Sequence, residues 1–178
     1  MAEPGKRFEN NVKLSLPGII RLYDTTNGYA GVKNPSDFVY YVYPYEYLIE
    51  CKSVKGDRFD FCILTDNQRE QLEYHDTIYG KTSIVLVEFR GPNEIYAIPY
   101  KLINQLNKQG KKSIHYMKDN TIIEKFKVLA KYARVNCVIE EKEFKHLLHS
   151  ISKKWGVNIE VKTKRFQRRN RRCTWYSQ

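Results

Sequence analysis

The 178-residue chain is poor in the features that would tie it to a membrane or crosslink it. No apolar run approaches the roughly 20 residues that span a bilayer. No lysine-rich head followed by an apolar core opens the chain, as a secretory signal would require. Its four cysteines, Cys51, Cys62, Cys137 and Cys173, stand 11, 75 and 36 positions apart, so none forms the close pair that binds zinc, and they read as reduced structural thiols. A soluble protein of the cytoplasm is the expectation. Negative charge is scarce in one half only. Residues 101–178 hold 20 Lys and Arg against 6 Asp and Glu, whereas residues 1–100 hold 11 against 14. Clustered cations gain affinity for a polyanion by releasing its condensed counterions. Acidic lipid satisfies the same electrostatics, but the missing apolar span argues for nucleic acid. The first part reads as a chemical module and the second as a polyanion-binding surface.

Hydrophobic periodicity and turn residues order the elements. Residues 5–15 form a short helix stopped by Pro17-Gly18, and Ile19 to Tyr23 reads as a strand. Asp24 to Pro35, with Asn27-Gly28 and Gly31, is a loop. Strands follow over 36–43 and 46–54, broken at Pro44 and able to pair antiparallel. Thr65 or Asp66 caps a helix reaching Tyr79. Thr82 to Phe89, continuous and β-branched, reads as a central buried strand. Gly91-Pro92-Asn93 returns the chain into Glu94 to Ile98, and Pro99 opens a helix to Lys108. This is an α/β arrangement, a mixed β-sheet core flanked by helices. Residues 121–135 fit neither period, so helix and strand both stay open there. Glu140 to Trp155, with Phe144, Leu147, Leu148 and Ile151 at spacings of three and four, is an amphipathic helix, and Val157 to Val161 is a candidate strand. The division is a core over 1–110, an extension over 111–161 and a basic tail over 162–178.

The chemistry concentrates at Asp37 and at Glu50-Cys51-Lys52. Side chains alternate faces along a strand, so Glu50 and Lys52 share one face while Cys51 points to the other. Antiparallel pairing of the two strands lets Asp37 converge on Glu50. Two carboxylates suit Mg2+, which takes one or two of them plus water and substrate phosphate. A neighbouring lysine can orient or deprotonate the attacking water. The implied reaction is phosphodiester hydrolysis.

Gly5-Lys6-Arg7-Phe8-Glu9, Ser36-Asp37, Glu50-Cys51-Lys52 and Asn67-Gln68 within a helix resemble, in order and spacing, the RecU family of Holliday-junction resolvases. The likeness covers roughly residues 4–107. That family belongs to the PD-(D/E)xK nuclease superfamily, so the resemblance implies a restriction-endonuclease-like sheet core with a basic C-terminal extension. It implies Asp37 and Glu50 as ligands of Mg2+ or Mn2+, with the Cys51 carbonyl and Glu9 as further ligands. Lys52 would handle the water and Gln68 would position a phosphate or water. The implied substrate is branched DNA, a four-way junction, and the implied assembly a homodimer, because paired nicks on symmetry-related strands need two sites. A phage-encoded relative also fits. Two departures stand out: the family's long stalk between its first two strands is reduced here to 24–35, and nothing after about residue 110 follows the family pattern.

Each residue also has a plainer reading. Asp37, Glu50 and Lys52 would serve as a cross-strand salt bridge, Glu9 as a solvated helix face, and Gln68 as a surface residue. Lys6 and Arg7 are phosphate contacts or surface charge, and Lys33, beside Tyr23 and Tyr29, is a candidate DNA contact. The tyrosines 40, 41, 43, 45 and 47 favour sheet packing over base stacking. His75, His115, His146 and His149 show no convergent metal partners. In the tail, Lys164, Arg165, Arg168, Arg169, Arg171 and Arg172 are candidate DNA contacts. The competing functions are another PD-(D/E)xK nuclease, restriction-like, flap or repair, and a non-catalytic nucleic-acid-binding protein.

Overall fold

The computed structural model describes residues 3–22 and 34–156. Lys33, Tyr23, Tyr29, the candidate strand over 157–161 and the basic tail lie outside the described residues. Helix α1 (Pro4–Ser15) begins with proline in its first turn, where the missing N–H costs nothing, and turns Phe8 and Val12 into the core. Strand β1 (Ile20–Arg21) follows, then β2 (Phe38–Val42) and β3 (Tyr45–Val54). Next come β4 (Arg58–Asp60), a 3₁₀ turn (Phe61–Ile63) and α2 (Asp66–His75), whose N-cap is Thr65. Strands β5 (Lys81–Phe89) and β6 (Glu94–Pro99) form a hairpin, with Asn93 at φ 57° in the turn, a left-handed conformation that asparagine tolerates. The remaining elements are α3 (Tyr100–Lys108), β7 (Ser113–His115), α4 (Asn120–Ile123), a 3₁₀ turn (Glu124–Phe126), β8 (Lys127–Val128), β9 (Ala130–Ala133), β10 (Asn136–Ile139) and α5 (Glu141–Trp155).

The main sheet has six strands in the order β1-β2-β3-β5-β6-β8. Only β3 and β5 run parallel; every other adjacent pair is antiparallel. A parallel pair needs a crossover, and the chain from β4 through α2 supplies it. Strand β5 lies in the middle, buried from Thr82 through Phe89, which explains its unbroken apolar run: helices cover both faces.

Partners assign those faces. Glu46 and Ser83 meet His75 of α2, so α2 covers the face bearing Glu46, Leu48, Glu50, Ser83 and Val85. Tyr47 and Thr82 meet Ser152 of α5, so α5 covers the opposite face. On that second face, Glu88 bonds Ser53 at 2.5 Å and Tyr132 at 3.5 Å, which ties the β9–β10 hairpin to the sheet. Helix α1 lies along β10, where Ser15 accepts from the Ile139 amide at 3.1 Å. Phe126, Val128, Cys137, Ile139, Phe144, Leu148 and Ile151 all join the single buried cluster. Residues 111–156 therefore build the same core as residues 3–110.

Several boundaries differ from the sequence reading. Helix α2 stops at His75 rather than Tyr79 because the Asp76 carboxylate accepts from the Ser83 amide at 2.6 Å, turning the chain back into β5. Among the described residues strand β1 covers Ile20–Arg21, paired with Val39 and Phe38, while Tyr23, the end of the expected strand, lies outside them. Between β3 and α2, β4 pairs with β7, a contact the sequence did not reveal. Residues 121–135 fit neither period because they hold most of a four-residue helix, a 3₁₀ turn, a two-residue strand and one arm of a hairpin. The tyrosines split by strand alternation: Tyr40 and Tyr47 are buried, whereas Tyr41 and Tyr43 are 61% and 79% exposed.

Candidate active site

Strand β2 starts one residue too late to finish its ladder with β3, and the site forms there. The last paired residues are Phe38 and Ile49; the same register carried one step further sets Asp37 opposite Glu50, with both side chains on the α2 face. Two anchors hold Asp37. Its carbonyl accepts from the Leu22 amide at 2.8 Å, extending the β1–β2 ladder. Its Oδ2 accepts from the Cys51 amide at 2.8 Å, replacing the strand partner that β3 lacks there. Within a strand residue, N–H and C=O point to the same edge, so the Cys51 carbonyl faces this gap as well. The Cys51 thiol points the other way, into the core.

Glu50 is 1% exposed. A buried carboxylate is costly unless charges and donors meet it. Lys52 Nζ lies 2.8 Å from Glu50 Oε1, and Gln68 Nε2 donates to the same oxygen at 2.5 Å. The second oxygen, Oε2, is buried and accepts no hydrogen bond. Burial, then the Asp37 carboxylate, pushes the Glu50 carboxyl from 4.5 up to about 7, against the pull of Lys52. Gln68 reaches the site from the first turn of α2, where it forms a capping box with Thr65. Its Oε1 accepts from the Thr65 amide at 3.0 Å and from Lys52 Nζ at 3.3 Å.

Glu9 and Lys6 of α1, Arg21, Leu22, Asn34 and Ser36 complete the lining of a cavity of about 350 Å³ around Asp37, Glu50 and Gln68. Glu9 is held by Arg21, whose guanidinium also donates to Asn10 at 2.9 Å. Burial, then Asp37, raises the Glu9 pKa. Among the described residues no three of His, Cys, Asp and Glu group closely enough to hold a metal ion. The oxygens the site brings together are the Asp37 carboxylate, Glu50 Oε2 and the Cys51 carbonyl, with Glu9 on the cavity wall; waters and substrate would complete the shell of a cation held there. This fits Mg2+ or Mn2+, which keep several waters and use one or two carboxylates. An unsatisfied buried carboxylate oxygen beside a polar cavity is what such an ion would satisfy.

The structure thus gathers Asp37, Glu50, Lys52, Gln68 and the Cys51 backbone, with Glu9 and Lys6 on the cavity wall. Gln68 binds Glu50 and Lys52 themselves instead of standing free toward a phosphate. Arg7 is half-buried and is not among the cavity-lining residues. Arg21 escaped the sequence reading, although a cation set within the apolar run Ile19 to Leu22 was its signal. His75 is buried between Ser83 and Glu46, His115 lies 2.8 Å from the Asp57 carboxylate, and His149 bonds the Tyr43 carbonyl. Cys51 and Cys137 are buried and Cys62 is exposed, all three as free thiols. No described helix is long and apolar enough to cross a membrane.

No protein-family model matches the sequence, and no curated protein sequence matches it. Among solved structures, the chain is similar to the Holliday junction resolvase Hjc of Archaeoglobus fulgidus, an archaeal hyperthermophile. The two are 22% identical, with a TM-score of 0.41 over 56% of this chain and 75% of that one.

Proposed function

We propose that the protein is a metal-dependent, structure-selective DNA endonuclease, and specifically a Holliday-junction resolvase that places paired nicks in four-way junctions as a homodimer in the cytoplasm. The observation carrying this reading is the divided Glu50 carboxylate: one oxygen clasped by Lys52 and Gln68, the other buried without a partner, beside Asp37 in an open polar cavity. Asp76 also leaves a buried carboxylate oxygen without a partner, but Glu50 does so in a side chain that lines the same cavity as Asp37, where a bound cation would offset the desolvation cost of about 1–3 kcal/mol.

Asp37, Glu50 Oε2 and the Cys51 carbonyl would hold the divalent cation, which supplies Lewis-acid charge to the scissile phosphate and lowers the pKa of water. Lys52, held by Glu50 and Gln68, would orient the attacking water and offset charge gathering on phosphorus. Lys6 and Arg21 line the same cavity and meet the phosphate from the α1 side. The basic segment over 162–178 adds affinity for the arms.

Labelled four-way junction, flap and linear duplex, each incubated with protein and Mg2+, test the reading. Paired nicks confined to the junction are expected. Lys52→Ala and Asp37→Ala should bind junction nearly as wild type yet cut it at least about 100-fold more slowly, the scale of a lost proton-transfer group. Cleavage at the normal rate in both variants would overturn the assignment. Cutting of flap or duplex instead would redirect it to another nuclease of the superfamily.

A further inference from the structure

Gln68 closes a helix cap and clasps an active-site carboxylate with the same side chain. In an ordinary capping box the third helical residue only reaches back to the N-cap amide. Here its carbonyl oxygen accepts from the Thr65 amide at 3.0 Å, and its amide nitrogen is left pointing the other way, 2.5 Å from Glu50 Oε1. The Thr65 hydroxyl closes the box by accepting from the Gln68 amide at 3.3 Å. The cap thereby decides which end of the carboxamide faces Glu50. Rotated by half a turn, the carboxamide would set its oxygen against a carboxylate and its NH2 against the Thr65 N–H and the Lys52 ammonium, three unfavourable encounters at once.

We propose that Thr65 and Gln68 form a positioning relay that fixes which Glu50 oxygen receives the metal ion. Thr65 orients Gln68, Gln68 together with Lys52 occupies Oε1, and Oε2 is left as the Glu50 oxygen without a partner, buried in a side chain that lines the cavity. The inference rests on the reading of this cavity as a metal site. Thr65 touches neither metal nor substrate in this scheme; it acts through Gln68. Outer partners that orient a ligand in this way change metal affinity by about 10–100-fold when lost.

The test uses the full chain and Mn2+ as the probe, with free ion counted by electron paramagnetic resonance in the absence of DNA. Melting curves fix a temperature at which every variant is folded. Gln68→Met, close in volume and without a donor, should weaken Mn2+ binding about 10–100-fold. Thr65→Ala should weaken it in the same direction and Thr65→Ser should restore it. A metal-free readout accompanies these: the two Gln68 side-chain amide protons, inequivalent in every variant because rotation about the amide bond is slow, should be shifted away from ordinary glutamine values and exchange slowly with solvent in wild type and Thr65→Ser, and return to ordinary values with faster exchange in Thr65→Ala. A merely structural cap would lower the melting temperature of Thr65→Ala but leave Mn2+ affinity at the wild-type value, and that result overturns the relay alone. Wild-type protein that binds no Mn2+ overturns both the relay and the metal-dependent function beneath it.

Discussion

Replacing Glu50 by glutamine should make the metal-free protein more stable at pH 8 than the wild type, and the gain should vanish in acid. In the unfolded chain Glu50 loses its proton near 4.5, whereas in the fold burial and the Asp37 carboxylate hold that proton until about pH 7. Between those two values the folded state binds more protons than the unfolded one. Stability therefore falls as pH rises through that window and levels off above it. At 1.36 kcal/mol per pKa unit, the wild type loses roughly 2.5 kcal/mol between pH 5 and pH 8 through this one group. Lys52 already acts within that figure, as the force that keeps the pKa from rising further. Glutamine cannot ionise, so Glu50→Gln escapes the loss, a difference of roughly 5–10 °C in melting temperature for a chain of this length. Urea unfolding of both proteins in EDTA at pH 5 and pH 8, followed by circular dichroism, measures it. Two curves that stay parallel across that range would refute the account of Glu50 as a strained, buried carboxylate. Adding Mn2+ at pH 8 should then reverse the ranking, because an ion binding only the folded state at a hundred times its Kd contributes about 2.7 kcal/mol, and the glutamine variant has lost one of the two carboxylates, Glu50 and Asp37, that would hold it.

The buried pair at the end of α2 carries two opposed pH dependences. His75 is pushed down from 6.5 to about 4 by burial, so stability present above pH 6.5 is lost as pH falls toward 4; Asp76 is pushed up from 3.8 to about 6 by burial, so its contribution falls as pH rises from 3.8 to 6. The two offset each other in the wild type. Asp76→Asn should expose an acid loss approaching 3 kcal/mol between pH 6.5 and 4, and urea midpoints that do not steepen with acid would contradict the assignment. For the basic tail, deleting residues 162–178 removes seven cations between Lys162 and Arg172. The slope of log affinity for junction DNA against log salt should flatten by up to about six, as read by fluorescence anisotropy, and an unchanged slope would remove the tail from the interface.

The parts of the fold legible in the sequence are those whose residues repeat one burial rule over many positions. Strand β5 announces itself through eight consecutive buried residues, and α5 through Phe144, Leu148 and Ile151 on one face. Strands β2 and β3 were legible as a pair because Pro44 breaks the run and both arms are aromatic. Elements such as β7, β8 and α4 were not, since two to four residues are too few to express a period, and β7 and β8 form only where a neighbouring strand pairs with them. The same distinction runs through the site. Strand alternation alone places Glu50 beside Lys52, but the pairing of Glu9 with Arg21 depends on the register that sets Arg21 opposite Phe38, which no local pattern records.

The position of the site follows from an unfinished ladder. Had β2 begun two residues earlier, a backbone carbonyl would have met the Cys51 amide, and the Cys51 carbonyl would have been spent on a strand partner. The chain instead bends at Pro35 and Asp37, the Ser36 hydroxyl donates to the Phe38 carbonyl at 3.0 Å, and Asp37 takes the vacated amide with one carboxylate oxygen. An aspartate is suited to that task because its short side chain can stand in for a backbone acceptor. The charge it brings adds to burial in raising the pKa of both Glu50 and Glu9, so the repair of the sheet edge is what sets a third carboxylate at one cavity. A neutral acceptor such as asparagine at position 37 would mend the edge equally well and leave the cavity without that charge, which separates the structural duty of Asp37 from its chemical one.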